Sequence, residues 1–181
     1  VLSGGFTQRG DIAIAPKHAR AAAAIGCGAD IVFELPFVYA TSSAEFFASG
    51  AIALLNSFKK IDFLVFGIES SDISALSAAA ELLIKEPPEF KAVLNSCLTS
   101  GMSFPAALGQ AYSACSGTNA IFTPNNTLAI EYIKAIKKMS SDIQPVAVQR
   151  SGLGYNDINY SKAGGHISAS AFRTTTENII K

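Results

Sequence analysis

The sequence predicts an α/β fold: a parallel sheet flanked by helices, with one helical insert. Three observations carry this expectation. Short, continuously apolar runs at residues 31–35, 63–66 and 145–148 are bounded by Asp, Pro or Gly, as buried strands are. Helix-length stretches with apolar residues at helical spacing separate them, so successive strands are joined by crossovers and pair in parallel. Hydrophobic residues make up 49% of the 181 and charged residues 15%, which supplies a core and argues against disorder.

Val1-Leu2 reads as the tail of a strand. Ser3-Gly4-Gly5-Phe6-Thr7-Gln8-Arg9-Gly10 follows as a polar, glycine-rich loop. Pro16 suits the first turn of a helix over residues 16–25, and Gly26 and Gly28 suit its stop. The run 31–35 is the next strand, closed by Pro36. Ser42-Ser43-Ala44-Glu45 reads as a capping box. The helix it opens carries Ala44, Phe47, Ala48, Ala51, Ile52 and Leu55 on one face. The strand 63–66 ends at Gly67, and Asp72 caps a helix to about residue 84. Pro87-Pro88 breaks that helix. Two more helical stretches, 89–98 and 104–115, form an insert over about 87–115, expected to pack beside the sheet. Pro124-Asn125-Asn126 opens a helix to about residue 138, and the last strand is 145–148. A polar stretch, 150–165, then leads to Ser168-Ala169-Ser170-Ala171-Phe172-Arg173. The strands are continuously apolar, as expected when helices cover both sheet faces.

Composition narrows the function classes. Fourteen basic and fourteen acidic residues balance, so nucleic-acid contact would need a local patch. Cys27, Cys97 and Cys115 are far apart and form no CxxC pair or Cys/His cluster, which predicts no metal site and fits a reducing cytosol. No apolar run reaches the ~18 residues of a membrane span. No signal peptide is visible, and the chain begins with Val1 rather than Met.

In a parallel α/β sheet, ligands bind beyond the carboxyl ends of the strands. The polar loops there, residues 3–10, 34–36, 67–70 and 149–151, are the candidate functional segments. In the first, which opens with Ser3 and Gly4, the glycines allow close backbone approach while Gln8 and Arg9 supply donors. It matches neither G-x-x-x-x-G-K-[ST] nor G-x-G-x-x-G, and it also fits an ordinary strand-to-helix loop. Gly67 allows a base or ribose to lie against the backbone, or is a turn glycine. One of Asn125 and Asn126 caps a helix, and the other has a carboxamide free to read a base edge or hydroxyl. Arg150 sits at the sheet's carboxyl edge, where an anion partner suits it.

Ser168 and Ser170 lead into a helix whose free N–H groups and dipole receive an anion. Arg173 adds a charged fork near the end of the first turn. The same pattern fits a capped helix with a solvent arginine. The two histidines, His18 and His166, are too separate for a metal or catalytic pair. His18 reads as a surface helix residue, and His166 as a neighbour of the serine–arginine helix start. No Ser–His–Asp or Cys–His nucleophile arrangement is present.

In order, these segments resemble the bacterial tRNA(Met) cytidine acetate ligases. The pieces are residues 3–10; Gly28-Ala29-Asp30 through Glu34-Leu35-Pro36; Tyr39-Ala40-Thr41-Ser42-Ser43-Ala44-Glu45; Phe66-Gly67-Ile68-Glu69; Pro124-Asn125-Asn126; Arg150; and residues 168–173. The similarity covers nearly the whole chain. It implies a Rossmann-like nucleotidylyltransferase sheet of the HIGH type and one partial catalytic domain over 1–181. It also implies an AMP-forming, ATP-dependent reaction in the cytoplasm. Acetate attacks the α-phosphate of ATP, and the acetyl group passes to N4 of the wobble cytidine of elongator tRNA(Met). Carried over by position, Gly67, one of Asn125 and Asn126, and Arg150 with Ser151 contact ATP. Ser168, Ser170 and Arg173 hold its phosphates together with Mg²⁺, and Ser3, Gly4, Gln8 and Arg9 form a substrate or tRNA loop.

Two departures stand out. The family begins with an Asn-Pro-Phe-His-x-Gly-His-type motif, absent from these 181 residues, and usually carries Asn where this chain has Gly5. The 181 residues alone are therefore expected to bind ATP poorly and to be inactive. The competing readings are a small-molecule nucleotidylyltransferase of the same superfamily, and a non-catalytic RNA- or nucleotide-binding module.

Overall fold

The computed structural model describes residues 1–8, 10–69, 72–117 and 121–149. The chain clusters into two compact units, Val1–Val148 and Gln149–Lys181, and the account below concerns the first. Its elements are β1 (Leu2–Ser3), α1 (Lys17–Gly26), β2 (Glu34–Leu35), α2 (Phe37–Ala40), α3 (Ala44–Asn56), β3 (Phe63–Ile68), α4 (Ile73–Lys85), α5 (Pro88–Thr99), α6 (Phe104–Ser116), α7 (Pro124–Lys138) and β4 (Gln144–Gln149). The expected alternation of strands and helices is present, and the fold class is α/β.

The strands pair two by two. β1 lies parallel to β2, with Leu2 opposite Glu34 and Ser3 opposite Leu35. β3 pairs with β4, and the Gln144 N–H donates to the Asp62 carbonyl at 2.8 Å where both begin. The strand expected over 31–35 is only two residues long. Pairing starts where the Leu2 N–H meets the Phe33 carbonyl, and Ile31 is 67% exposed. β3 instead runs two residues past its expected end, through Gly67 to Ile68.

β3 also alternates in burial. Leu64, Phe66 and Ile68 face inward, while Phe63 and Val65 are exposed. Among the described residues, helices thus cover one face of this pair rather than both. The period of two shows which face packs.

α7 is the central helix. Asn126, Ala129, Ile130 and Ile133 lie at the spacing of one helical face, and with Lys134, Ala135 and Ile136 the helix is buried all round over residues 133–136, as a central helix is. It packs between α3 and α4. Ile130 and Ile133 join Leu76, Ala79, Phe90, Ala111 and Tyr112 in the main core. Burying each isoleucine contributes about 1.5–3 kcal/mol. α5 and α6 therefore do more than lie beside the sheet, because Phe90 from one and Ala111 and Tyr112 from the other help build that core.

The Asp72 cap forms as expected: its Oδ1 accepts from the Ala75 N–H at 2.8 Å. α4 ends at Glu86, in the left-handed region at φ 42°, just before Pro87. The capping box does not form. Ser43 makes no side-chain cap, and the Ser42 hydroxyl turns back to the Val38 carbonyl at the end of α2. Glu45 is drawn instead toward Lys134 and Lys138 of α7, at 3.7 and 3.4 Å. Packing of α3 on α7 places two ammonium groups in reach, and they win over a backbone N–H.

Candidate functional site

Two junctions at strand ends hold the described candidate residues. The first joins β3 to α7. Exposed Gly67 and buried Ile68 end the strand, and Glu69 follows. α7 begins after Thr123, whose side chain makes no cap of its own. The Glu69 carboxylate does the capping from across the fold. Its Oε2 accepts from the Asn125 N–H at 3.0 Å, from the Asn126 N–H at 3.3 Å, and from the Thr123 hydroxyl. A negative charge at this position is favoured by the free N–H groups and the helix dipole.

The bond is returned. The Glu69 N–H donates to Asn126 Oδ1 at 3.1 Å, and Asn126 is fully buried. The two asparagines thus differ. Asn126 belongs to the junction itself. Asn125 has a buried Nδ2 with no hydrogen-bond partner among the described residues. An unpaired buried amide donor costs about 1–3 kcal/mol, a cost that an acceptor brought by a ligand would remove.

The second junction follows β1. The loop after Ser3 is stitched into a small hairpin: Phe6 bridges Ile12, the Thr7 N–H donates to the Asp11 carbonyl at 2.8 Å, and the Ala13 N–H to the Gly5 carbonyl at 2.9 Å. Gly10 sits in this turn at φ 81°. The close approach at Gly4 is already taken from within the protein. A Cβ there would lie 2.4 Å from Glu34 Oε1. Lys17 holds the same carboxylate at 2.6 Å. Arg20 donates from Nη2 to the Ser3 carbonyl at 2.9 Å and to the Gly4 carbonyl, and from Nε to the Ala15 carbonyl at 3.0 Å. Ser3, Lys17, His18 and Glu34 line a cleft of about 180 Å³ here. Gln8 is half-buried in the hairpin.

Both junctions lie at carboxyl ends of strands, where ligands bind in such sheets. A larger cleft, about 650 Å³, is lined by Asn56, Lys59, Asp62, Phe63 and Gln144. It lies at the amino ends of β3 and β4, the opposite end from the candidate residues. Among the described residues no group of three or more His, Cys, Asp or Glu gathers in a way that could hold a metal ion. No described helix is long and apolar enough to cross a membrane.

The sequence singled out Gly67, Asn125 and Asn126, and the structure brings the strand end and the helix start together through Glu69. Sequence reasoning gave Glu69 no role, although it directly follows the end of β3 and lies two residues past Gly67. It also passed over Lys17 and Arg20, three residues apart and so on one side of α1. Arg9, Arg150, Ser151, His166, Ser168, Ser170 and Arg173 lie outside the described residues.

Comparison with known proteins adds to this geometry. The family model described as HIGH Nucleotidyl Transferase matches residues 1–180. The tRNA(Met) cytidine acetate ligase of Caldicellulosiruptor bescii is 46% identical over 179 residues, covering 99% of this chain and 44% of that protein. Its counterpart in Caldanaerobacter subterraneus is 43% identical, covering 98% and 45%. The chain thus spans less than half the length of these curated relatives. The crystal structure of Thermotoga maritima TmcAL without ligand aligns with a TM-score of 0.89 and 36% identity, over 98% of this chain and 43% of that one. The same protein bound with alpha-thio ATP aligns at 0.85 and 35%, over 98% and 42%.

Proposed function

This chain belongs to the HIGH nucleotidyl transferase family, and from that premise we propose that it carries the adenylate-forming part of a tRNA(Met) cytidine acetate ligase. A carboxylate oxygen of acetate attacks the α-phosphorus of ATP. The bond from that phosphorus to the bridging oxygen breaks, pyrophosphate leaves, and acetyl-adenylate forms. The N4 amine of a tRNA cytidine then attacks the acetyl carbon, loses a proton, and releases AMP. The observation that carries this reading is the 46% identity to a protein of that activity over 99% of the chain.

Such a reaction asks the protein for positioning and for neutralisation of charge on the phosphate oxygens. In this reading the exposed Gly67 backbone and the Asn125 carboxamide meet the nucleoside end of ATP. Asn126 supports them through Glu69. Arg150 and Ser151 complete the nucleotide contacts, and Ser168, Ser170 and Arg173 hold the phosphates. Ser3, Gly4, Gln8 and Arg9 form the acceptor-side loop, kept in shape by Arg20 and Glu34. The described residues do not fit a dedicated Mg²⁺ cage. Mg²⁺ would supply charge neutralisation at the ATP phosphates rather than fill a cage of protein carboxylates. Residues 1–181 act as one catalytic portion, with α5 and α6 as its insert, in a cytoplasmic enzyme whose partner is elongator tRNA(Met).

The test is acetate-dependent exchange of pyrophosphate into ATP by the full-length protein. Exchange that requires acetate, with transfer of labelled acetyl to tRNA(Met) cytidine, is the expected result. Exchange driven by a different small molecule, or nucleotide binding with no exchange, would overturn the ligase reading in favour of another nucleotidylyltransferase or a binding module.

A further inference from the structure

A single carboxylate oxygen ties β3 to α7. Glu69 Oε2 takes three donors from residues 54 to 57 positions away: the Thr123 hydroxyl, the Asn125 N–H and the Asn126 N–H. The backbone N–H of Glu69 closes the loop on Asn126 Oδ1 at 3.1 Å. A helix start with free N–H groups is otherwise the natural seat of a phosphate. Here that seat is filled by a fixed anion of the protein itself. Thr123, a residue type that often caps, spends its hydroxyl proton on that anion instead. What α7 offers a ligand is therefore neutral: the Asn125 carboxamide, whose buried Nδ2 lacks a partner among the described residues.

Resting on the nucleotide reading above, we propose that Glu69 is a positioning residue that sets which end of ATP meets α7. Its hydrogen bonds fix Asn125 against the end of β3, two residues beyond Gly67. Its charge keeps the triphosphate off the α7 N-terminus, by like-charge repulsion and by using up the N–H donors. ATP is then admitted with its nucleoside toward Gly67 and Asn125 and its phosphates elsewhere. A neutral cap would fasten the helix equally well and leave this choice open, which separates the proposal from a purely structural role.

The test compares full-length wild type with Glu69→Gln, Glu69→Asp and Thr123→Val. Each is assayed for KM and kcat in acetate-dependent exchange, for inhibition by inorganic tripolyphosphate, and for melting temperature. Glu69→Gln removes the charge at nearly constant shape. Its KM for ATP should rise roughly tenfold, as loss of charge-assisted hydrogen bonds implies, and kcat should fall less. Tripolyphosphate should inhibit it more strongly than wild type. Glu69→Asp keeps the charge one methylene short, so KM should rise without the gain in tripolyphosphate inhibition. Thr123→Val drops one hydrogen bond, keeps the charge, and should behave as the Asp variant does, more mildly. A Glu69→Gln protein with wild-type KM and wild-type tripolyphosphate inhibition overturns the proposal, whatever its melting temperature. So does a gain in tripolyphosphate inhibition that Asp shows equally. If wild type performs no acetate-dependent exchange, the ligase reading fails by itself. Calorimetric affinities for ATP and tripolyphosphate, compared between wild type and Glu69→Gln, then still decide the role of Glu69.

Discussion

Glu69 and Asn126 hold each other by two hydrogen bonds across the fold. The Glu69 N–H donates to Asn126 Oδ1 at 3.1 Å, and Glu69 Oε2 accepts from the Asn126 N–H at 3.3 Å. The pair pins the end of β3 to the start of the central helix. Asn126→Leu keeps the branched shape but leaves the Glu69 N–H without its acceptor and adds volume at a fully buried site. We expect it to cost about 2–4 kcal/mol, from an unsatisfied donor and overpacking, read as a lower urea midpoint. Asn125→Ala should cost little or nothing in stability and weaken ATP binding instead. Equal losses of stability in both variants would erase the distinction between the two asparagines.

Gly4 is constrained by Glu34, not by its own backbone angles. A Cβ at Gly4 would stand 2.4 Å from Glu34 Oε1. The carboxylate is the far end of a flexible side chain, so it moves, and its 2.6 Å contact with Lys17 breaks. Both groups are about half exposed, and exposed pairs of this kind contribute roughly 0–1 kcal/mol. Gly4→Ala should therefore fold almost normally and lose activity, because it reshapes the cleft beside Ser3. The variant's melting temperature and exchange rate decide this. A large stability loss, or full activity, would contradict it.

How much of this was legible in the sequence depends on the range of the forces involved. Local signals read true. Asp72 caps α4, Pro87-Pro88 divides two helices, and Pro124 sits at the first turn of α7. Signals that a distant partner can outbid did not. Glu45 looked like the acid of a capping box, yet Lys134 and Lys138 take it once α3 packs on α7. The run at 31–35 looked like a full strand, but β1 offers it only two residues to pair with. At the candidate site, glycine and asparagine positions were readable as types suited to close approach and hydrogen bonding. Glu69 was not, because its role exists only when a residue 57 positions on is brought beside it.

Gly50 tests the packing of α2 on α3. It is buried, and a Cβ there would lie 2.3 Å from Tyr39 Cγ. The obstacle is the root of an aromatic ring, which has little freedom to yield. Overpacking of this kind costs about 1–3 kcal/mol, more than alanine's better helix propensity returns, roughly 1 kcal/mol. Gly50→Ala should lower the melting temperature. A further substitution, Tyr39→Ala, should make Gly50→Ala neutral or stabilising, which a double-mutant cycle measures.

The last prediction concerns Glu131 and Lys134, neighbours on α7 with side chains only 12% and 10% exposed and 2.9 Å apart. Burial pushes the Glu131 carboxyl above the ordinary glutamate range, outweighing the hydrogen bond and charge of Lys134 that pull it down. The folded protein therefore keeps the Glu131 proton over a pH window in which the unfolded chain has lost it. Stability from this group is greatest below the ordinary glutamate value and falls as pH rises through the window. Other carboxylates add slopes of their own, so the readout is the difference between wild type and Glu131→Gln. That difference should shift against wild type as pH rises from the acid side toward neutral, by about 1.4 kcal/mol for each pKa unit of displacement. Lys134→Met then follows by the same logic. At neutral pH it leaves a buried carboxylate without its nearest cation, a loss of about 3–5 kcal/mol for a fully buried pair. At acid pH Glu131 is neutral in the folded state and the loss shrinks. Urea midpoints of the three proteins across that range measure both effects. A Lys134→Met cost that stays constant with pH would show that the pair carries no net charge coupling.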